Sequence, residues 1–197
     1  MCNHYRANAR LIEDWAVWAG YKPAKPTPDE VWPKGLATVA RQDAGRIVPE
    51  TMRWGVPLAT TGKSGKPVTK WLTNVRNLAS PFWKNMLARP AQRCLVPFSS
   101  FAEPKAGKDP ATGRPAEYWF SIPSAPVAAF AGIWRPSEAG NVFAFLTCEP
   151  NPLVAPLHPK AMPVILQEAD YAGWLDGDLD AACGLALAYP SQLMVVG

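Results

Sequence analysis

Cys2 follows Met1 directly, and a cysteine in that position gains a second nucleophile once the methionine is removed. Position 2 holds a small residue, the kind that methionine aminopeptidases accept. Processing leaves a free α-amino group beside a thiol, a 1,2-aminothiol. The amine can condense with an aldehyde to an imine, and the thiol can then close a five-membered thiazolidine, a combination that no internal cysteine offers. Ordinary pKa values of about 7.7 to 8.0 for the amine and about 8.5 for the thiol leave both partly available near neutral pH. While Met1 remains the aminothiol does not exist, and a cysteine at position 2 taken alone is equally what chance would place there. Glu103 and His158 are residue types that move protons. Taken singly, however, Glu103 before Pro104 reads as a loop residue and His158 as a structural side chain. Asn74 alone reads as a turn former and Arg76 as a surface charge.

The charge distribution points to a polyanionic partner. Of a net charge of +4 on 197 residues, the segment from Thr51 to Ala102 carries +8, from Arg53, Lys63, Lys66, Lys70, Arg76, Lys84, Arg89 and Arg93, with no Asp or Glu. The remainder therefore carries −4. A basic face on an otherwise acidic protein suits a phosphate backbone, because each neutralised phosphate releases counterions. A solvated basic surface is the alternative.

The elements that must position these residues are short. Twenty-two prolines spread along the chain exclude long uninterrupted helices and favour strands joined by turns. Leu11, Ile12, Trp15 and Trp18 recur at helical spacing before Gly20 and Pro23, which predicts a helix over 8–19. The stretch YKPAKPTPDEVWPKG reads as a surface loop leading to a strand at 37–41, and TTGKSGKPVT at 60–69 as a flexible basic loop. Ser80 and Pro81 open a short helix that Pro90 ends. Runs rich in β-branched and aromatic residues at 94–98, 117–122, 127–134, 142–147 and 161–166 predict five strands. The tail from Glu168 to Ala188 predicts two short helices interrupted at Asp176 to Asp178. The expectation is one α+β domain over 1–197, β-rich, with an antiparallel sheet curled into a partly closed barrel and short flanking helices.

Several classes of function are disfavoured. No stretch approaches the roughly 18 apolar residues needed to span a bilayer, and MCNHYRANAR lacks the apolar core of a signal peptide, so a cytoplasmic protein is expected. Cys2, Cys94, Cys148 and Cys183 lie far apart, with only two histidines to complete a metal site, so neither a metal, another cofactor nor a disulfide framework is expected. The absence of a heptad run favours a monomer.

An ordered set of segments carries a resemblance: MCNHY at the start, MRWG at 52–55, NVRN at 74–77, CLVPFSSF at 94–101 running into SSFAEP at 99–104, TCEPN at 147–151, LHPKAMPVIL at 157–166 and AYPSQLM at 188–194. Together they resemble the SRAP family, the SOS-response-associated peptidase-like proteins, over nearly the whole chain. The resemblance implies a compact β-rich fold with a positively charged channel for single-stranded DNA and a mature N-terminal cysteine that crosslinks to abasic sites. Cys2 resembles the family's nucleophile. Asn74, in the N-x-R motif, would orient the opened sugar or the N-terminal residue, and Arg76 would clamp a neighbouring phosphate. Glu103 resembles the glutamate that moves protons during imine formation and ring closure, and His158 the histidine that assists sugar opening and crosslink reversal. Trp54 would stack against a base beside the lesion or pack in the core. Pro33 matches a proline of a DNA-contacting loop, and Arg53, Lys63, Lys66 and Lys70 would line the channel by charge.

The chain departs from the family pattern in places. Asn3 and His4 stand where Cys-Gly-Arg is usual, which sets a second imidazole beside the nucleophile and leaves the local phosphate contact open. Pro104 replaces an aromatic residue after the glutamate. Pro159, Lys160 and Ala161 separate His158 from Met162, one residue more than usual, with Lys160 in place of an arginine. Covalent capture of abasic single-stranded DNA is the leading expectation. The alternatives are a thiol peptidase, including self-removal of Met1, an abasic-site lyase, and a non-covalent single-strand-binding module.

Overall fold

The computed structural model describes residues 2–15 and 27–197. In chain order the elements begin with β1 (His4–Arg6), α1 (Ala9–Glu13), β2 (Glu30–Val31), β3 (Leu36–Asp43) and β4 (Arg46–Trp54). Next come β5 (Val56–Thr61), β6 (Pro67–Leu72), β7 (Asn74–Val75), α2 (Pro81–Leu87), β8 (Arg93–Phe98), β9 (Ser100–Lys108) and β10 (Pro115–Ser121). The chain continues through β11 (Ala128–Ser137), β12 (Gly140–Cys148), β13 (Met162–Pro163) and β14 (Ile165–Leu166) to α3 (Tyr171–Asp176), α4 (Leu179–Gly184) and β15 (Val195–Val196).

Strands β12, β4, β3, β8 and β11 pair in that order, and β11 pairs back onto β12, so the barrel closes. The β-rich fold expected from the sequence is present, with two differences: the barrel has no open seam, and β12 runs parallel to β4, pairing Val142 with Arg53 and Phe143 with Trp54. Closure leaves no edge within the barrel and buries one face of every strand, which is why Ala37, Val39, Leu95, Phe130, Ile133 and Phe145 all lie in the core. A second sheet, in the order β15-β10-β9-β1-β2, lies beside it. Its Tyr5, Phe101 and Phe120 are fully buried, and Tyr5 packs edge-on against Trp54, Phe130 and Phe145, joining the two sheets through one aromatic cluster.

Gly132 on β11 leaves no room for a side chain: a Cβ there would meet Cys94 Sγ and Val96 Cγ2 at 2.7 Å. Arg93 was counted above with the basic surface, and the structure corrects this. Its guanidinium is wholly buried, donating to the carbonyls of Leu87, Trp174 and Gly177, and so ties the ends of α2 and α3 to the barrel.

The helices at 81–87, 171–176 and 179–184 fall where the sequence places them. Of the helix expected at 8–19, α1 accounts for residues 9–13, capped by the Asn8 side chain accepting from Leu11 N; Trp18, Gly20 and Pro23 lie outside the described residues. The expected loop at 60–69 is the tip of the β5–β6 hairpin, closed by Gly62 N donating to Lys66 O at 2.8 Å. Strands β4 and β9 were not foreseen. Each contains a proline, Pro49 and Pro104, which reads as a strand breaker, but both prolines sit where a strand tolerates a missing donor. Among the described residues no second strand pairs with β4 beyond residues 53 and 54, and Pro104 lies beside the bulge between β9 and β10.

Arg93→Met removes three charge-assisted bonds from buried carbonyls. The expected cost is about 3 kcal/mol in a urea denaturation curve, with the slope unchanged.

Candidate active site

The amino-terminal strand is held on both edges: β1 pairs with β2 through Tyr5 and Val31, and with β9 through His4 and Ala102. This pairing fixes Cys2, two residues ahead of His4, against the second sheet. The Cys2 side chain is wholly buried, and its Sγ donates to the carbonyl of His4 at 3.4 Å. Burial, reinforced by the Glu103 carboxylate, pushes the thiol well above its ordinary value.

Asn74 arrives from β7, a two-residue strand running parallel to β12. Its Nδ2 donates to the Cys2 carbonyl at 3.1 Å and to Thr73 Oγ1 at 2.8 Å. The Asn74 Oδ1 atom is buried and has no hydrogen-bond partner among the described residues. Glu103 comes from β9, one residue beyond the Ala102 that pairs with His4. Its side chain is fully buried, and burial pushes its carboxyl up to about 7. His158 closes the group, with Nε2 3.5 Å from Glu103 Oε2. Burial, with the nearby Lys160 charge, holds His158 below its ordinary value. Both shifts favour the uncharged forms, which suits Glu103 to act as an acid and His158 as a neutral base near neutral pH.

The loop that delivers His158 is organised by a residue that the sequence reading passed over. Asn151, nearly fully buried, accepts from the backbone N of Leu153 and Val154 and donates to the Tyr189 carbonyl; His158 N in turn bonds Val154 O. An asparagine followed by a proline, Asn151 and Pro152, is the signal that could have identified this turn. The same anchoring draws in AYPSQLM, through Tyr189 and Met194.

Four of the expected site residues, Cys2, Asn74, Glu103 and His158, thus converge. Arg76 lies two residues beyond Asn74 and makes an ion pair with Glu149, while Lys160 sits beside His158. The remaining candidates stand apart. Lys63, Lys66 and Lys70 are exposed on the β5–β6 hairpin. Arg53 donates to the Lys34 carbonyl at 2.6 Å, bracing the exposed turn that contains Pro33.

Two expectations need correction. Trp54 is fully buried, stacked on Phe145 at 5.2 Å, with Nε1 donating to the Thr73 carbonyl. It offers no ring face to a base, and its role is to hold the segment that carries Asn74. His4 does not face the nucleophile's reacting groups as a phosphate contact would. It is buried between Trp32 and Trp119, with Nδ1 2.9 Å from Glu117 Oε2 and Nε2 3.6 Å from Glu30 Oε2.

Among the described residues no group of three or more His, Cys, Asp or Glu side chains is placed to hold a metal ion, and no helix is long and apolar enough to cross a membrane. Cys2, Asn74, Glu103 and His158 thus gather beside a closed five-stranded barrel. The profile described as SOS response associated peptidase (SRAP) matches residues 1–196, and the chain belongs to that family. Similar folds occur in a protein from Bordetella bronchiseptica, 24% identical with a TM-score of 0.77 over 100% of this chain and 98% of that one. A Bacteroides thetaiotaomicron protein is 17% identical, with a TM-score of 0.75 over 99% and 90% of the two chains. A phage-related protein, also from B. bronchiseptica, is 18% identical, with a TM-score of 0.69 over 100% and 92%. No curated protein sequence matches the chain significantly.

The raised Glu103 carboxyl has a consequence for stability. Between the ordinary value of 4.5 and its value of about 7, the folded protein holds this proton more tightly than the unfolded chain, so stability falls as pH rises through that window. Glu103→Gln removes the buried charge. The variant is expected to be about 2 kcal/mol more stable than the parent at pH 8 and equal to it at pH 4, measured by thermal unfolding.

Proposed function

We propose that this protein captures abasic sites in single-stranded DNA covalently through Cys2 after Met1 is removed. The observation that carries the reading is the convergence of Asn74, Glu103 and His158 on Cys2, with Arg76 two residues from Asn74. No single residue of the four has this meaning alone.

The chemistry follows from the groups present. The Cys2 amine adds to the C1′ aldehyde of the opened deoxyribose to give a carbinolamine, and protonation of its hydroxyl expels water and leaves an imine. Glu103, near half-protonation at neutral pH, is the acid suited to that step. The Cys2 sulfur then bonds to the imine carbon, its proton passing to the ring nitrogen, and the thiazolidine closes. The sum is protein plus DNA minus one water. Burial disfavours the free thiolate, so the thiol must surrender its proton as it attacks; the neutral imidazole of His158 beside Glu103 provides the relay. Asn74 holds the Cys2 carbonyl and thereby the orientation of the amine. Arg76 takes a phosphate flanking the lesion, exchanging Glu149 for it.

The des-Met protein mixed with an oligonucleotide bearing one abasic site should give a species of the summed mass less 18 Da by intact mass spectrometry, a loss fixed by the water released in condensation. Cys2→Ala and an intact strand should give none. Binding of both strands alike without an adduct would replace the covalent reading with a simple single-strand-binding module, and turnover of peptides by the same protein would favour a thiol peptidase. Arg76→Gln should slow adduct formation about tenfold at low salt, the loss shrinking as salt is raised.

A further inference from the structure

Burial along β9 stops at Glu103. Phe101, Ala102 and Glu103 lie in the interior, whereas every residue from Pro104 to Lys108 is exposed. A wholly buried carboxyl that borders an exposed stretch needs a neighbour to keep water from it. The strand register identifies that neighbour. Strand β10 runs antiparallel to β9, with Phe120 opposite Phe101 and Tyr118 opposite Glu103. Opposed residues of an antiparallel pair project from the same face, with Cβ atoms roughly 4.5 to 5.5 Å apart. The face in question is the inward one: Phe101 and Phe120 are fully buried and stack with centroids 5.1 Å apart and planes inclined by 18°. Tyr118 is the next side chain out along that face, beside Glu103.

The exposure of β10 is graded to match. Phe120 is buried, while Tyr118 is half-buried and packs against the core. Lys105 Nζ lies 5.1 Å from the centroid of the Tyr118 ring, so the ring is engaged from the solvent side as well. The titratable groups facing Glu103 from other elements are His158, 3.5 Å away, Cys2 and the terminal amine; Lys105 lies beyond Tyr118. Cations near a carboxyl favour its charged form, so the protonated form depends on burial, which is what raises it. Whatever keeps Glu103 dry therefore decides whether it can serve as an acid near neutral pH.

We propose that Tyr118 is a positioning residue for this acid, its ring forming the lip that keeps water from Glu103 and so leaves the carboxyl able to protonate the departing hydroxyl. The chemistry served is that of the DNA reading above, on which this part of the inference rests. The shielding itself is independent of any ligand.

The titration of Glu103 is followed by carbon-13 NMR of the side-chain carboxyls, assigned with Glu103→Gln, in the parent, Tyr118→Phe and Tyr118→Thr. Threonine suits a strand but removes the ring. The midpoint should lie at about 7 in the parent and in Tyr118→Phe, and about one pH unit lower in Tyr118→Thr. The protonated fraction at pH 7 falls with it, so adduct formation with abasic DNA at that pH should be about fivefold slower in Tyr118→Thr and unchanged in Tyr118→Phe. An unmoved midpoint in Tyr118→Thr overturns the proposal. So does an equal shift in Tyr118→Phe, which would assign the effect to the hydroxyl, or an adduct rate that ignores the shifted midpoint. Should Tyr118→Thr fail to fold, Tyr118→Val gives the same comparison. Failure of the DNA reading is distinct: the midpoints then move as stated, but no protein, the parent included, forms an adduct.

Discussion

Burying a chain terminus is the constraint on which this structure depends. The first residues of a domain are ordinarily its loosest part, because nothing precedes them to pair with. Here the terminal strand is paired on both sides and Tyr5 is driven into the aromatic cluster between the two sheets. The sheet bonds and the burial of Tyr5 fix Cys2 in place, so the cost of ordering the terminus is met by folding before any ligand arrives. Everything around Cys2 presupposes that placement. Asn74 can reach its carbonyl only because β7 lies against β12, and Glu103 faces it only because β9 pairs with β1 in this register. A slip of one residue between β1 and β9 would turn Glu103 to the opposite face of the sheet.

The second organising feature is the division of labour among aromatic residues. Trp54, Tyr5, Phe130 and Phe145 form a continuous interior cluster that joins barrel to sheet. Trp32, Trp119 and His4 form another on the far side of the second sheet, this one open to solvent. The strand β1 serves both, since alternation sends Tyr5 inward and His4 outward from adjacent positions. A three-residue strand therefore couples the core, Cys2 and the outer face.

Much of this was legible in the sequence, for identifiable reasons. The strands at 94–98, 128–134 and 142–147 are nearly continuous apolar runs because barrel closure buries them, and the tail helices are marked by the Asp178 cap. The four residues at the site could be named because ordered segments resembled a family, not because their spacing implied contact; residues 2, 74, 103 and 158 meet only through strand pairing. What stayed hidden was set by the third dimension. An indole in MRWG and an indole in VWPKG look alike in one dimension, and only the register of β4 in a closed barrel decides that Trp54 is inside and Trp32 outside. Arg93 was miscounted as surface charge for the same reason, since nothing local announces the three carbonyls that surround it. Asn151 was missed because its partners Tyr189 and Met194 lie 38 and 43 residues away.

The ion pair between Arg76 and Glu149 changes the meaning of that arginine's charge. A lone guanidinium beside a reactive site would attract any passing anion, and a polyelectrolyte would gain the full benefit of the released counterions. A guanidinium already holding a carboxylate gains only the difference between its old partner and its new one. On the proposed reading, an anion tethered to other contacts replaces the resident carboxylate more readily than a solitary one, because those contacts raise its local concentration. On that reading, Glu149 couples occupancy of Arg76 to engagement elsewhere along the same ligand.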